Sequence, residues 1–546
     1  MQDTCKTPQE MLSAMPLRQK AAQTLVPAYF SHEEGCEAVK NGVGGVWAIY
    51  HFKNNSTCLE FADEVKKLQE SSDIPLFICA DMETGAGQMI HDGKCAEFPE
   101  PMSYSAIADI NAAEHLAYKQ GQAMASEAMA LGWNVALTPV VDVNTSAYNP
   151  STNVRSCGDD VERVTRVMNA MIRGMQSCKI IATAKHFPGQ GMQLLDSHFG
   201  LENVKLTQEE MQLHLKPFAD AVSNGVRCIM TNHAIYEVYD PENVSTFSKA
   251  IMTDILRGKL GFKNLLMTDA MEMQGVSEQS NGADAVIRAL IAGNDLILGP
   301  VGNISAIIDA IVAAVEDGAL PIERLDEACL RILEGKAWQG MFSGDVPSFD
   351  MPDGSNWALA QDIAQKTVTI IRDAKNYLPL NRDSKVLVIE PVHPKKELDF
   401  GLYTNTTMIF DHIKDGFDNA EFELFEGGIG SEKMAQLADK AKKFDFVIVS
   451  TSFRSRAGQV GLLTKEQVSA LKQISDVNPN IVAVIANPYA SSQIPFIGTV
   501  ICGYSTSKVA VQAIVAVING KRAGEGVLSI KLPETLDASF EIKSHD

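Results

Sequence analysis

Short apolar runs alternate with amphipathic segments from the start of the chain to about residue 340. The runs at 21–30, 42–50, 75–81, 135–143, 180–187, 227–234, 264–270 and 294–300 are nearly continuous rather than alternating. Strands that read this way are covered on both faces, as in a parallel sheet wrapped by helices. Between them lie helical patterns at 112–132, 161–176, 208–225 and 283–293, several closing on glycine, a common helix stop. Eight strands with intervening helices over about 300 residues predict a (β/α)8 barrel. From about residue 340 to 356 the periodicity gives way to Pro, Gly, Ser and Asp, which reads as a linker. Strand patterns resume at 384–391, 444–452, 480–488 and 498–505, with the clearest helices at 464–475 and 507–520. The expected organisation is α/β throughout. Residues 1–340 form a barrel and 341–356 a linker, and 357–546 form a smaller doubly wound α/β sandwich.

Composition narrows the partners. Lysine and arginine total 47 against 68 aspartates and glutamates, a net charge of −21. Such a surface does not suit nucleic acid or an anionic membrane, and no run of 18 apolar residues exists to span a bilayer. The first 30 residues show no basic start, apolar core or small-residue cleavage site, so no secretory leader is expected within them. The ten cysteines form no CxxC pair and no histidine pair completes a zinc pattern. They read as buried free thiols of a reducing compartment, which makes the cytoplasm the expected location.

The chemistry is carried by what terminates the strands. Asp81, Asp142, Lys185 with His186, His233 and Asp269 end five successive apolar runs. A parallel barrel gathers its strand C-termini on one face, where active sites are built. Polar groups at five neighbouring ends therefore converge on one pocket, the pattern of an enzyme. Asp142 taken alone is read as a helix N-cap, a common use of an aspartate after an apolar run. Glu272 is read as a capping or supporting carboxylate near Asp269. The turn ADMETGAGQ after Asp81 is read as contacting substrate. After the fifth strand, Pro188, Gly189 and Gly191 break the chain, and Asp196 and His198 follow on the resulting loop. Two residues apart in an extended stretch, they share one side, and a carboxylate that orients an imidazole is an acid/base unit. No Gly-rich phosphate cradle opens a helix, and no GxSxG elbow is present.

These segments in this order resemble glycoside hydrolase family 3, particularly its β-N-acetylglucosaminidase branch. The resemblance rests on TPVVDVN, NVRSCGDD, KHFPGQG, DSH, TNHAIY, FSKAIMTDILRGKLGF and MTDAMEM, with NPYA and LSIKLPE in the second domain. It implies Asp269 as nucleophile, Asp196 and His198 as the acid/base dyad, and Asp81, Arg155, Lys185 and His186 as sugar contacts. His233 is expected to join the substrate-binding set as a strand-end group. The sequence departs from the family pattern at Met82, Thr84, Ala86, Ile90, Cys157 and Gln190. The expected activity is retaining, exo-acting hydrolysis of terminal β-linked N-acetylglucosamine, with no metal or organic cofactor. Phosphorolysis of the same bond, a β-glucosidase or β-xylosidase, and a catalytically silent sugar-binding protein are the alternatives.

Overall fold

The computed structural model describes residues 6–49, 56–392, 409–426, 431–451 and 461–536. Cys5, Tyr50 and Ser452, together with both ends of the chain, lie outside these residues. The first domain is built on β1 (Leu25–Val26), β2 (Gly45–Ala48), β3 (Phe77–Ala80), β4 (Val135–Ala136), β5 (Ile181–Phe187), β6 (Cys228–Thr231), β7 (Leu265–Met267) and β8 (Ile297–Leu298). Each pairs with the next in parallel from β2 to β7. Residues 28–29, which continue β1 beyond Pro27, pair with β2, while β1 itself pairs with β8. A parallel bridge between Met267 and Leu296 joins β7 to the entry of β8, so the ring closes. Phe77, Cys79, Val135, Ile181, Cys228, Met230, Leu265, Met267 and Leu298 fill the barrel interior as a separate buried cluster.

Two strand expectations change. In the first run, Ala21, Ala22 and Gln23 belong to the helix Leu17–Gln23, and pairing starts only at Leu25. In the fourth, the regular ladder stops after Ala136, because Pro139 has no N–H to offer β3 or β5. The chain nevertheless runs on beside β5, with the Val141 amide bonded to the Lys185 carbonyl at 2.9 Å. That extension carries Asp142 to the barrel mouth. The helices Ile110–Leu131 and Val161–Ser177 follow their apolar periodicity closely.

The second domain is a six-stranded sheet of β9 (Thr369–Asp373), β10 (Lys385–Val392), β11 (Asn419–Glu426), β12 (Phe446–Ser450), β13 (Ile481–Ile485) and β14 (Thr499–Cys502). Its order is β9-β14-β13-β12-β10-β11, parallel except at β9. β9 and β11 were not expected from the sequence. Edge strands are half exposed, so their apolar pattern is diluted: Ile370 and Ile371 are only partly buried, and β11 carries Glu421, Glu423 and Glu426 among its eight residues. This domain braces the barrel. The Asn144 amide donates to the Tyr489 hydroxyl at 3.1 Å, and the Lys531 amide donates to Asp159 at 3.0 Å. Both barrel residues flank the stretch that carries Arg155. Among the described residues, no helix is long and apolar enough to cross a membrane.

At the barrel's N-terminal end, the fully buried Lys336 reaches the Gln23 side-chain oxygen at 2.7 Å and lies over the Phe77 ring. Burial pushes its ammonium down to about 7. Between that value and the ordinary lysine range the unfolded chain holds a proton that the folded chain does not, so stability rises with pH across the window. The wild type is expected to gain about 2 kcal/mol on Lys336→Met between pH 7 and pH 9, read by chemical denaturation at both. A difference that does not change with pH would show that Lys336 is charged in the fold.

Candidate active site

Five loops at the C-terminal face of the barrel bring the expected residues together. Asp81 follows β3 and accepts from the Trp47 indole N–H at 3.0 Å, with Lys185 Nζ at 3.4 Å on its other oxygen. Burial raises its carboxyl, a shift that Lys185 opposes and that the charges of Glu83 and Asp269 reinforce. Two residues on, Glu83 takes the Arg155 guanidinium in a two-pronged bond of 2.7 and 2.8 Å and also holds Lys185 at 2.8 Å. Burial works to raise Glu83, but the two cations overcome it and hold the carboxyl well below the usual range. Lys185 answers in kind: burial works against its charge, while Glu83 and Asp81 keep it above the ordinary lysine value. Each charge in this buried group is therefore matched, which is the condition for tolerating it.

Glu83 was not anticipated. Its signal was the alternation Asp81, Met82, Glu83, which points both carboxylates to one side of an extended turn while Met82 is buried. The turn lies flat against residues 96–98. A side chain at Gly85 would meet the Ala96 carbonyl oxygen at 2.7 Å, and one at Gly87 would meet the Ala96 carbonyl carbon at 2.6 Å.

Asp142 caps no helix. It is fully buried and accepts from the Gln190 amide at 2.8 Å, the His186 amide at 3.1 Å and His186 Nδ1 at 2.8 Å. Its expected N-cap role is corrected to that of a buried bracket for the loop after β5. Burial raises its carboxyl against the pull of those backbone donors. His186 is held neutral, pushed well below the ordinary histidine value by burial and by the Lys185 and Arg155 charges. Its Nε2 points toward Asp269, 3.9 Å from Oδ2.

Asp269 sits two residues beyond β7. Its Oδ1 accepts from the Ala270 amide at 2.8 Å, and its side chain retains 19% exposure, so the carboxylate is fixed in orientation yet reachable. His233 does not take the sugar-contacting place expected of it. Its ring is fully buried, Nε2 donates to the Ala270 carbonyl at 3.1 Å, and Nδ1 meets the Thr246 hydroxyl at 2.7 Å. With both nitrogens committed to protein, it fixes the backbone beside Asp269 instead. Glu272 is exposed, and the helix Gln274–Ser277 starts from Met273 rather than from it.

The loop after β5 ends in the dyad. His198 Nδ1 lies 2.7 Å from Asp196 Oδ1, which also accepts the His198 amide at 2.9 Å. Asp196 is fully buried, whereas the His198 ring is 40% exposed and presents Nε2 outward. Burial works to lower the His198 pKa. The charge and hydrogen bond of Asp196, joined by the charge of Asp269, outweigh it and hold the pKa above the ordinary value. Asp269 therefore lies near enough for its field to reach the imidazole. The loop is tied down by Glu202, which accepts from the Leu194 and Leu195 amides.

Among the described residues, no three His, Cys, Asp or Glu side chains are placed to hold a metal ion. The nine described cysteines are free thiols. A carboxylate on one loop, an oriented imidazole on another and balanced charges between them form a site for acid/base chemistry at an uncharged polar substrate.

Residues 16–334 match the glycosyl hydrolase family 3 N-terminal domain, and residues 368–546 match the family's C-terminal domain. The chain is 28% identical over 502 residues to a β-N-acetylglucosaminidase/β-glucosidase of Cellulomonas fimi, covering 88% of this chain and 86% of that one. It is 30% identical over 357 residues to β-hexosaminidase A of Pseudoalteromonas piscicida, covering 61% of this chain and 59% of that one. Among solved structures, a family 3 β-N-acetylglucosaminidase from Paenibacillus sp. str. FPU-7 superposes with a TM-score of 0.85 at 27% identity. That superposition covers 96% of this chain and 100% of the other.

Proposed function

The chain belongs to glycosyl hydrolase family 3 and is a glycoside hydrolase, and on that premise we propose that it removes terminal, non-reducing β-linked N-acetylglucosamine with retention of configuration. The observation that carries this reading is the Asp196–His198 pair, which supplies an oriented proton donor from the same domain as Asp269. Asp269 attacks the anomeric carbon as His198 Nε2 protonates the departing oxygen, giving a glycosyl ester. His198, now neutral, takes a proton from water, which opens the ester. Asp196 holds the ring in one tautomer through both steps and stabilises its cationic form. Asp81, Lys185, His186 and Arg155 line the same mouth as hydrogen-bonding groups for sugar hydroxyls, contacts that strengthen as the ring flattens.

Phosphorolysis is the second reading, favoured by one feature of the dyad. An imidazole is uncharged when the ester awaits its acceptor, so a phosphate dianion meets less repulsion there than beside a carboxylate.

A panel of aryl β-glycosides with and without the 2-acetamido group, assayed in phosphate and in a non-phosphate buffer, tests both. Turnover confined to the acetamido sugars, releasing free sugar in either buffer, is the expected result. Equal turnover of glucosides would move the specificity to β-glucosidase. Sugar 1-phosphate formed in phosphate buffer would establish the second reading. Binding of N-acetylglucosamine without turnover of any glycoside would reduce the protein to a sugar-binding one.

A further inference from the structure

The proton donor and the proposed nucleophile stand on different loops, after β5 and after β7, and the two loops are joined at Ser197 and Gly275. Ser197, between the two members of the dyad, accepts from the Gly275 amide through its backbone carbonyl at 2.9 Å. Gly275 lies six residues past Asp269, in the short helix Gln274–Ser277 that the Asp269 loop leads into, and it is buried. No side chain fits at this position. A Cβ on Gly275 would lie 2.8 Å from the His233 carbonyl oxygen, and 3.3 Å from both the His233 Cβ and the Ser197 Cβ. His233 is in turn fastened to the Ala270 carbonyl, next to Asp269. The path from carboxylate to imidazole therefore runs through Asp269, Ala270, His233, Gly275 and Ser197 to His198, in packed contact or hydrogen bond at each step.

We propose that Gly275 is a positioning residue, whose missing side chain and N–H together set where the Asp196–Ser197–His198 loop stands relative to Asp269. The inference rests on the reading of His198 as proton donor. Interiors are packed densely enough that a methyl inserted between two backbones is accommodated only by moving one of them. The strand-end His233 is held from three sides, by Asn232, Thr246 and Ala270. With His233 held, the Gly275 backbone must move off the His233 carbonyl oxygen, the tightest of the three contacts at 2.8 Å, and its hydrogen bond carries that displacement to Ser197. A shift of the imidazole by a fraction of an ångström degrades proton transfer while leaving the carboxylate in place.

The test is Gly275→Ala assayed on acetamido aryl glycosides of graded leaving-group ability, with His198→Ala measured alongside. Poor leaving groups are expected to lose about 100-fold in kcat/KM, and dinitrophenyl substrates, which need no proton, less than about threefold. Labelling of Asp269 by a 5-fluoro glycoside should continue at the wild-type rate. Adding Ser197→Gly to Gly275→Ala removes one of the three crowded contacts and should restore at least tenfold on the poor leaving groups. If Gly275→Ala does not fold, Ser197→Thr crowds the same joint from the loop side and carries the same expectation. Equal losses on all leaving groups, or no loss, with His198→Ala still selective, would overturn the positioning role alone. A His198→Ala variant without leaving-group selectivity would overturn the donor reading, and this inference with it.

Discussion

Asp269→Ala is expected to lower kcat/KM by ~10⁴-fold or more on every substrate, with the fold intact. Asp269 is a strand-end carboxylate that is held in place and still reachable: one oxygen is bonded to the Ala270 amide, and the other faces His186 Nε2 at 3.9 Å. The other acidic groups of the mouth are already engaged. Glu83 is spent on Arg155 and Lys185, Asp142 on His186 and Gln190, and Asp81 on Trp47 and Lys185. Loss of the carboxylate opens a space beneath the anomeric carbon, and azide should enter it, giving a glycosyl azide of inverted configuration. In the wild type, a 5-fluoro glycoside should leave its mass on Asp269. Oxazoline formation by the substrate's own acetamido group would leave no such adduct, and an adduct mapped to Asp81 or Glu83 would move the nucleophile.

His198→Ala is expected to cost about 10³-fold on poor leaving groups and far less on activated ones, because only the former need a proton as the bond breaks. The pH dependence supplies an independent sign. Cleavage requires the imidazolium, so the alkaline limb of kcat/KM reports the His198 pKa, which should stand above the ordinary histidine value. Burial works to lower that pKa and the Asp196 carboxylate works to raise it. Asp196→Asn keeps an oxygen acceptor but removes the charge, so burial dominates and the alkaline limb should move to lower pH. A limb that stays in place would mean that another group supplies the proton.

The architecture and most of the polar groups of the mouth were legible in the order of residues along the chain. Near-continuous apolar runs can be satisfied only when both faces are covered, which specified the parallel barrel. Once the strands are parallel, Asp81, Lys185, His186 and Asp269 must emerge on one face. The dyad was legible because Asp196 and His198 are close in sequence and their hydrogen bond is local.

Relations between distant segments became visible only in the folded molecule. Glu83 gains its meaning from Arg155, 72 positions away, and Asp142 from His186, 44 positions away. Neither pairing is marked by any periodicity. His233 occupies the same kind of strand end as Asp269, yet Thr246 and the Ala270 carbonyl saturate its ring. Local pattern fixes which way a side chain leaves its strand. Whether it then meets solvent, substrate or another loop depends on long-range packing, to which residues two or four apart are blind.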